Sequence, residues 1–353
     1  MKKIREYLKK KDVIISPQRY FIDAMSAMAQ GLFASLLIGT IISTVGNLTN
    51  LEFLNTIGGF AKGVAGPAMA VAIAYALKAP PLVLFSMLAV GSAANSLGGS
   101  GGPLAVFFIA IISTELGKLV SKVTRVDIIV TPLVTIFSGA GLSMLCAPYI
   151  GIAANWVGRF TMWATEQQPF IMGIIVSVVI GIALTLPISS AAICHAFGLQ
   201  GLAGGAAVAG CCAQMIGFAV MSYRENKTGG LLSQGIGTSM LQMPNIIKNP
   251  RIWLPPIITS AITGPLATCL FKLEMNGAAI SSGMGTCGLV GQIGVFEGWL
   301  SDVASGAKAS ITAFDWIGLI LISFVLPAVI CYLLGLLFRR IGWIRENDLL
   351  LPS

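Results

Sequence analysis

The sequence predicts an all-α polytopic membrane protein of about ten transmembrane helices, in two internal repeats with broken or re-entrant segments. Three observations predict it: the composition, apolar runs that recur at spanning length, and ordered small-residue matches between the halves. Hydrophobic residues fill 56% of the 353 positions and charged residues only 10%, whereas a soluble domain carries about 25% charged residues. Mean hydropathy is +0.86. Several apolar runs reach about 18 residues or more, enough to cross a hydrocarbon core of about 30 Å.

The formal net charge of +8 does not point to nucleic acid, because of where the charges fall. Lys2, Lys3, Arg5, Lys9, Lys10, Lys11 and Arg19 precede the first apolar run, and Arg339, Arg340 and Arg345 follow the last. Cations beside membrane segments are what the positive-inside rule and anionic membrane lipids favour. Both termini are therefore expected on the cytoplasmic side. The seven cysteines lie in or beside apolar runs without metal-ligand spacing, so neither a metal nor a cofactor is expected.

Taken in order, residues 1–20 form a basic cytoplasmic segment, with a short helix before Ser16-Pro17. The first span covers about residues 21–45 and is too long for a signal-peptide core, so it is kept as a mature helix. Arg19 and Asp23 are expected to pair at its interfacial end. A mixed stretch leads to a second span near 61–77. The apolar run 82–94 is short and ends in Asn95-Ser-Leu-Gly-Gly-Ser-Gly-Gly-Pro103, a tilted span or one limb of a re-entrant loop. Residues 103–120 cross again, and Glu115 is expected to pair with a nearby cation.

Another span follows at 128–147, and Trp156, Arg159, Trp163 and Glu166 then suggest a separate helix lying in the interface over 149–168. Spans are expected near 169–186, 201–223 and 252–271, then a glycine-rich run over 277–295, an interfacial stretch with Trp299, and a last helix over 314–338. Between two of these spans lies the segment from Gly229 to Pro250, which collects Ser233, Gln234, Thr238, Ser239, Gln242 and Asn245 among glycines and prolines. Broken backbone at membrane depth must line a cavity or be buried in protein, because lipid cannot hydrogen-bond the freed groups. That makes it the leading candidate for a substrate site.

The halves align. Gly31, Ser35, Gly39 and Ser43 match Gly173, Ser177, Gly181 and Thr185, a displacement of 142 positions from 31 to 173. Gly63-Val-Ala-Gly-Pro-Ala68 resembles Gly201-Leu-Ala-Gly-Gly-Ala206, and Pro103, Ile111, Ser113 and Gly117 match Pro250, Ile258, Ser260 and Gly264. Small residues four apart also serve close helix packing, but the preserved order favours duplication. The expected organisation is a first repeat over 21–168, a second over 169–313, and a final helix with a basic tail over 314–353. On this alignment the segment around Asn95 falls opposite Gln242–Pro250, and the two are expected to form one site.

Four pieces carry a family resemblance: Ser16-Pro-Gln-Arg-Tyr-Phe-Ile-Asp-Ala-Met-Ser-Ala-Met-Ala-Gln-Gly-Leu-Phe33, Leu186-Pro-Ile-Ser-Ser-Ala-Ala192, Gln242-Met-Pro-Asn-Ile-Ile-Lys-Asn-Pro-Arg-Ile-Trp-Leu-Pro-Pro256 and Gly283-Met-Gly-Thr-Cys-Gly-Leu-Val-Gly-Gln292. With these the chain resembles the EIIC-type membrane components of the sugar phosphotransferase system, and within them the perfringolysin O regulator-like branch. The resemblance implies a multi-pass cell-membrane permease, a homodimer, whose sugar is phosphorylated by a separate cytoplasmic component. It departs from glucose-type permeases in lacking a Gly-Ile-Thr-Glu stretch, so the sugar-binding glutamate of that motif has no counterpart here.

The substrate-binding candidates are Asn95, Ser96, His195, Ser233, Gln234, Gln242 and Asn245. Amides and hydroxyls both donate and accept, which suits a neutral sugar or similar small polar solute without burying a charge. His195, the one histidine, lies beside the Pro187 turn. No phospho-acceptor domain is recognisable, so phosphorylation would need a partner subunit. Two other functions compete: a membrane sensor or regulator that binds its ligand without transport, and an ion-coupled transporter relying on Glu115 or Glu274.

Overall fold

The computed structural model describes residues 2–49 and 51–351; Met1 and Ser353, the ends of the expected terminal segments, lie outside the described residues. Among the described residues the secondary structure is helical, apart from one isolated bridge between Gly201 and Met275. The chain divides into two compact units, Met1–Ala153 and Ala154–Ser353.

In the first unit a basic helix α1 (Lys2–Lys10) is followed by a π-helical turn Gln18–Asp23, α2 (Ala24–Leu32), a second π-helical turn Phe33–Leu37 and α3 (Ile38–Thr49). These pieces make one apolar rod over Gln18–Asn47. Helices α4 (Glu52–Gly63) and α5 (Ala65–Ala76) are bent by 45° at their junction. The helical stretch that covers the expected second span thus begins earlier than expected and is broken at Val64. Helix α6 (Pro81–Gly98) starts on a proline whose fixed φ suits a first helical turn. The chain then passes through a 3₁₀ turn Gly99–Gly101 into α7 (Gly102–Val120).

Gly99, at φ +52°, adopts a conformation that only glycine takes freely. It reverses the chain: Gly117 near the end of α7 packs against Val83 near the start of α6, as two halves of one straight rod cannot. Residues 82–94 therefore belong to an 18-residue helix that extends past the apolar run. Helices α5 and α6 cross where Gly66 and Gly91 face each other, and a Cβ on either would overlap the other's carbonyl oxygen. Small residues allow this approach, and dispersion and packing rather than hydrophobic transfer hold helices together in lipid.

The charges of this unit gather at one place. Arg19 pairs with Asp12, not with Asp23 as expected, and also donates to the Leu77 carbonyl at 2.8 Å; Asp23 accepts instead from Gln18. The reason is geometric: Asp12 follows α1 in a left-handed turn (φ +54°) that returns its carboxylate to Arg19. Glu115 pairs with Lys118 at 3.1 Å and accepts from Tyr20, as the sequence led one to expect. Lys118, only 1% exposed, donates to the carbonyls of Asp12 and Leu77 at 2.7 and 2.9 Å. The Arg19 hydrogen bond holds the Asp12 carboxyl below its ordinary 3.8, so its contribution to stability is complete above that pH and is lost as pH falls through the lowered folded-state value. Amide hydrogen exchange over Tyr7–Val13, corrected for its intrinsic pH dependence, should accordingly quicken in Asp12→Asn at neutral pH and in the unaltered chain only in acid below its ordinary carboxyl value.

Helix α8 (Asp127–Thr165) continues through Pro132 and Pro148. The separate interfacial helix expected over 149–168 is a continuation of this one, since a proline in an apolar helix bends it without ending it when its neighbours satisfy the freed carbonyl. Trp156 and Trp163 lie exposed on it.

The second unit is built around α11. Its helices are α9 (Pro169–Thr185), α10 (Ser190–Ala196), α11 (Gly201–Met221), α12 (Tyr223–Leu232), α13 (Met243–Lys248), α14 (Leu254–Pro265), α15 (Val290–Ser305), α16 (Ala313–Ile320) and α17 (Leu326–Arg340). Nearly every residue of α11 is buried, enclosed by α9, α14 and α17. Its composition explains this. Gly205 lies against the Leu273 carbonyl and Gly210 against that of Ser177, each so closely that a Cβ would overlap the oxygen. Helices α16 and α17 join through a π-helical turn into one apolar rod, Ala313–Arg340. A Thr312–Asp315 capping box opens that rod. Trp299, expected in an interfacial stretch, is 3% exposed on α15 and packs edge-on against Trp316. The expected glycine-rich run is two 3₁₀ turns, Ala279–Gly283 and Cys287–Leu289, ahead of α15.

Six described helical stretches are long and apolar enough to cross a membrane, or seven if the bent α4–α5 pair is one span. The chain is a multi-pass membrane protein.

Candidate functional site

The segment 229–250 is broken as the sequence predicts. Helix α12 gives way to a π-helical turn Ser233–Gly237, an extended Thr238 (φ −158°, ψ 142°), a 3₁₀ turn Ser239–Gln242, α13 and a further 3₁₀ turn Pro250–Trp253. Local chemistry accounts for each break. The Thr238 hydroxyl accepts the Met240 N–H at 3.1 Å and starts the 3₁₀ turn. Pro244 sits in the first turn of α13, where a missing N–H costs nothing, and the Asn249 side chain accepts from Arg251 N at 3.2 Å to open the last turn.

Three of the predicted ligands meet in one chain of amides. Gln234 donates to Ser222 Oγ at 2.8 Å, Gln242 donates to Gln234 Oε1 at 2.9 Å, and Asn245 donates to Gln242 Oε1 at 2.8 Å. All three are buried, Gln234 and Gln242 completely. Ser233, half-buried, bonds back to the Gly230 carbonyl and stands outside this chain. His195 is exposed on α10. In the same unit, α10 is tied to the 3₁₀ turn Ala279–Gly283 by Ser190 Oγ donating to the Gly283 carbonyl at 2.7 Å. Asn95 and Ser96 belong to the first unit, in the last turn of α6, half-buried and exposed respectively.

What occupies the amide cluster is the end of the chain itself. Gln242 and Asn226 both donate to the Leu349 carbonyl, at 2.9 and 2.8 Å, and Asn245 donates to the Leu350 carbonyl at 2.8 Å. Leu351 N donates to Asn226 Oδ1 at 2.8 Å. Asn249 holds the Trp343 carbonyl and the Asp348 carboxylate at 2.9 and 2.8 Å. Sequence reasoning did not select Asn226 or Asn249 as ligands, and it gave no role to the tail. A signal existed for Asn226: amides recur at 226, 234 and 242, a constant spacing across the broken segment.

A second buried polar cluster was missed altogether. Gln214 is fully buried in α11 and accepts from Trp253 Nε1 at 2.8 Å and from Thr185 at 3.2 Å. Thr185 also meets Ser239 at 2.8 Å. The sequence does show Gln214 as a lone amide in a run of alanine, glycine and cysteine, which costs free energy unless its bonds are met. Near Cys212, Gln292 donates to the sulfur at 3.2 Å, while its buried Oε1 has no hydrogen-bond partner among the described residues. Buried groups without partners are rare.

The amide chain itself is uncharged, with the Asp348 carboxylate held beside it by Asn249. No Asp or Glu falls between Glu225 and Glu274, and the buried groups here are amides and hydroxyls, which suit a ligand that both donates and accepts. Of the two carboxylates an ion-coupled carrier would use, Glu115 is neutralised by Lys118 and Glu274 is exposed.

Many transporters build a solute site from membrane helices interrupted by polar segments, and comparison with known protein families places the chain in that class. The family model described as "Phosphotransferase system, EIIC" matches residues 22–351, and the chain belongs to that family: it is a membrane sugar permease component of the phosphotransferase system. No curated protein and no solved structure matches it.

Proposed function

We propose that the chain binds a neutral sugar or similar small polar solute and carries it across the cell membrane, with phosphorylation supplied by cytoplasmic phosphotransferase components. The observation that carries this is the buried, charge-free amide chain Gln234–Gln242–Asn245 in a broken segment of a family member. Tail carbonyls now occupy donors that a sugar hydroxyl would accept from equally well. Ser233 and His195 complete the candidate ligands in this unit, with Asn95 and Ser96 as candidates in the first. Gln292 joins them because its buried Oε1 lacks a partner among the described residues.

About ten crossings and two repeats remain the proposed topology. Supporting the count, the 40-residue stretch Pro81–Val120 contains two helices that pack on each other, and Pro169–Thr185 is a further apolar helix of 17 residues. Supporting the repeats, α2 packs on α5 and α5 on α7, as α9 packs on α11 and α11 on α14. These are the helices that the sequence matches pair. With both termini cytoplasmic, cysteines placed by Lys3→Cys and Ser353→Cys should resist an impermeant label applied outside intact cells; reaction at either refutes that topology.

Uptake of labelled sugars into vesicles tests the function. Uptake that requires a phosphoryl donor and the cytoplasmic components is the expected result. Binding without uptake identifies a sensor, and uptake driven by an ion gradient alone identifies a secondary transporter.

A further inference from the structure

A pocket of about 530 Å³ opens in the first unit where the ends of α1 and α7 meet the α5–α6 connection. That is within the usual range of small-molecule sites, about 300–1,000 Å³. Its wall carries five lysines, Lys10, Lys11, Lys78, Lys118 and Lys122, and one carboxylate, Asp12.

The wall is fastened on every side. Tyr7 donates to the Leu119 carbonyl at 2.6 Å, Lys11 donates to the Ser121 carbonyl, and Lys118 joins the Asp12 and Leu77 carbonyls. These bonds cover the carbonyl ends of three helices, whose negative partial charge would otherwise repel an anion. Asp12 is engaged by Arg19 and Lys118, and Glu115 by Lys118. The other carboxylate nearby, Asp127, accepts from Lys122 N and Thr131 and faces Lys11 and Lys122. Among the described residues, Lys10, Lys78 and Lys122 have no carboxylate within ion-pair distance.

Backbone geometry reinforces this placement. Lys78 and Lys122 each follow a helix end in the left-handed conformation, at φ +57° and +58°, where glycine is the relaxed choice. Lysine at both positions directs two exposed cations to one mouth.

We propose that this pocket binds a phosphate-bearing anion, held by Lys10, Lys78 and Lys122, none of which belongs to the candidate solute segment. Phosphate presents several acceptor oxygens to ammonium donors. Two sources offer that chemistry, a phospholipid headgroup and a soluble phosphoryl compound.

The test uses the full chain in a neutral detergent and isothermal titration calorimetry with two probes, inorganic phosphate and dioctanoyl phosphatidylglycerol, with dioctanoyl phosphatidylcholine as the zwitterionic control. Saturable binding of either anionic probe is expected, weakened by salt and by about tenfold or more in the triple variant Lys10→Gln/Lys78→Gln/Lys122→Gln. Lys272→Gln, in the other unit, should bind as the unaltered chain does. Phosphate alone identifies a soluble ligand; phosphatidylglycerol alone identifies a lipid. No binding of either probe, equal binding by the triple variant, or equal weakening by Lys272→Gln overturns the proposal. All three lysines are exposed, so the variants should fold, and Lys10→Gln alone should still weaken binding measurably.

Discussion

Gly205→Ala is expected to lower sharply both the recovery and the melting temperature of the folded protein. In the helix that the second unit surrounds, the new methyl would overlap the Leu273 carbonyl oxygen, which is backbone and cannot rotate aside like a side chain. Overpacking a core costs about 1–3 kcal/mol and sometimes more, a large share of a folding free energy of about 5–15 kcal/mol. Gly59→Ala, in α4, makes the contrast: nothing lies within 4 Å of the added atom, and alanine in a helix should stabilise by about 0.5–1 kcal/mol. Yield of monodisperse protein and melting temperature in detergent measure both. A Gly205→Ala protein that melts with the unaltered chain would show that α11 does not approach Leu273 this closely.

The second large effect is expected from Gln242→Ala/Asn245→Ala. These side chains supply two of the bonds that hold the tail and two links of the amide chain. If they also hold the sugar, binding should weaken by roughly 1–3 kcal/mol per lost bond, about fivefold to 150-fold each. Hydrogen exchange at Leu351 N, bonded to Asn226, should quicken in the same variant. Faster exchange with sugar affinity retained would assign the amides to the tail alone and move the solute site elsewhere, with Gln292 the next residue to substitute.

The parts of this architecture that follow from short-range chemistry could be read in advance. Apolar length gave the long helices, and Gly229, Gly230, Pro244 and Pro250 gave the break after α12. The Glu115–Lys118 pair, one helical turn apart, was equally legible. What could not be read depends on tertiary partners and on turns that the local sequence pattern does not announce. Whether Pro148 ends α8 depends on what satisfies the freed carbonyl, and Arg19 chose Asp12 over Asp23 because of a left-handed turn. In the candidate site the same division holds. The grouping of Gln234, Gln242 and Asn245 was visible in a stretch of a dozen residues, but the backbone that fills their valences lies 105 to 107 positions on. Gln214 was hidden by its neighbours, since a single amide barely changes the apolar character of its helix.

The amide clasp on Leu349 and Leu350 also sets an order of events during synthesis. Gln242 is made 107 residues before the carbonyl that it holds. At about 5–20 residues per second, that is a wait of roughly 5–20 s. Throughout that interval the donors of Asn226, Gln242 and Asn245 must be met by water, by lipid headgroups or by the insertion machinery, so the second unit completes this polar interior only once Leu349 and Leu350 have been translated.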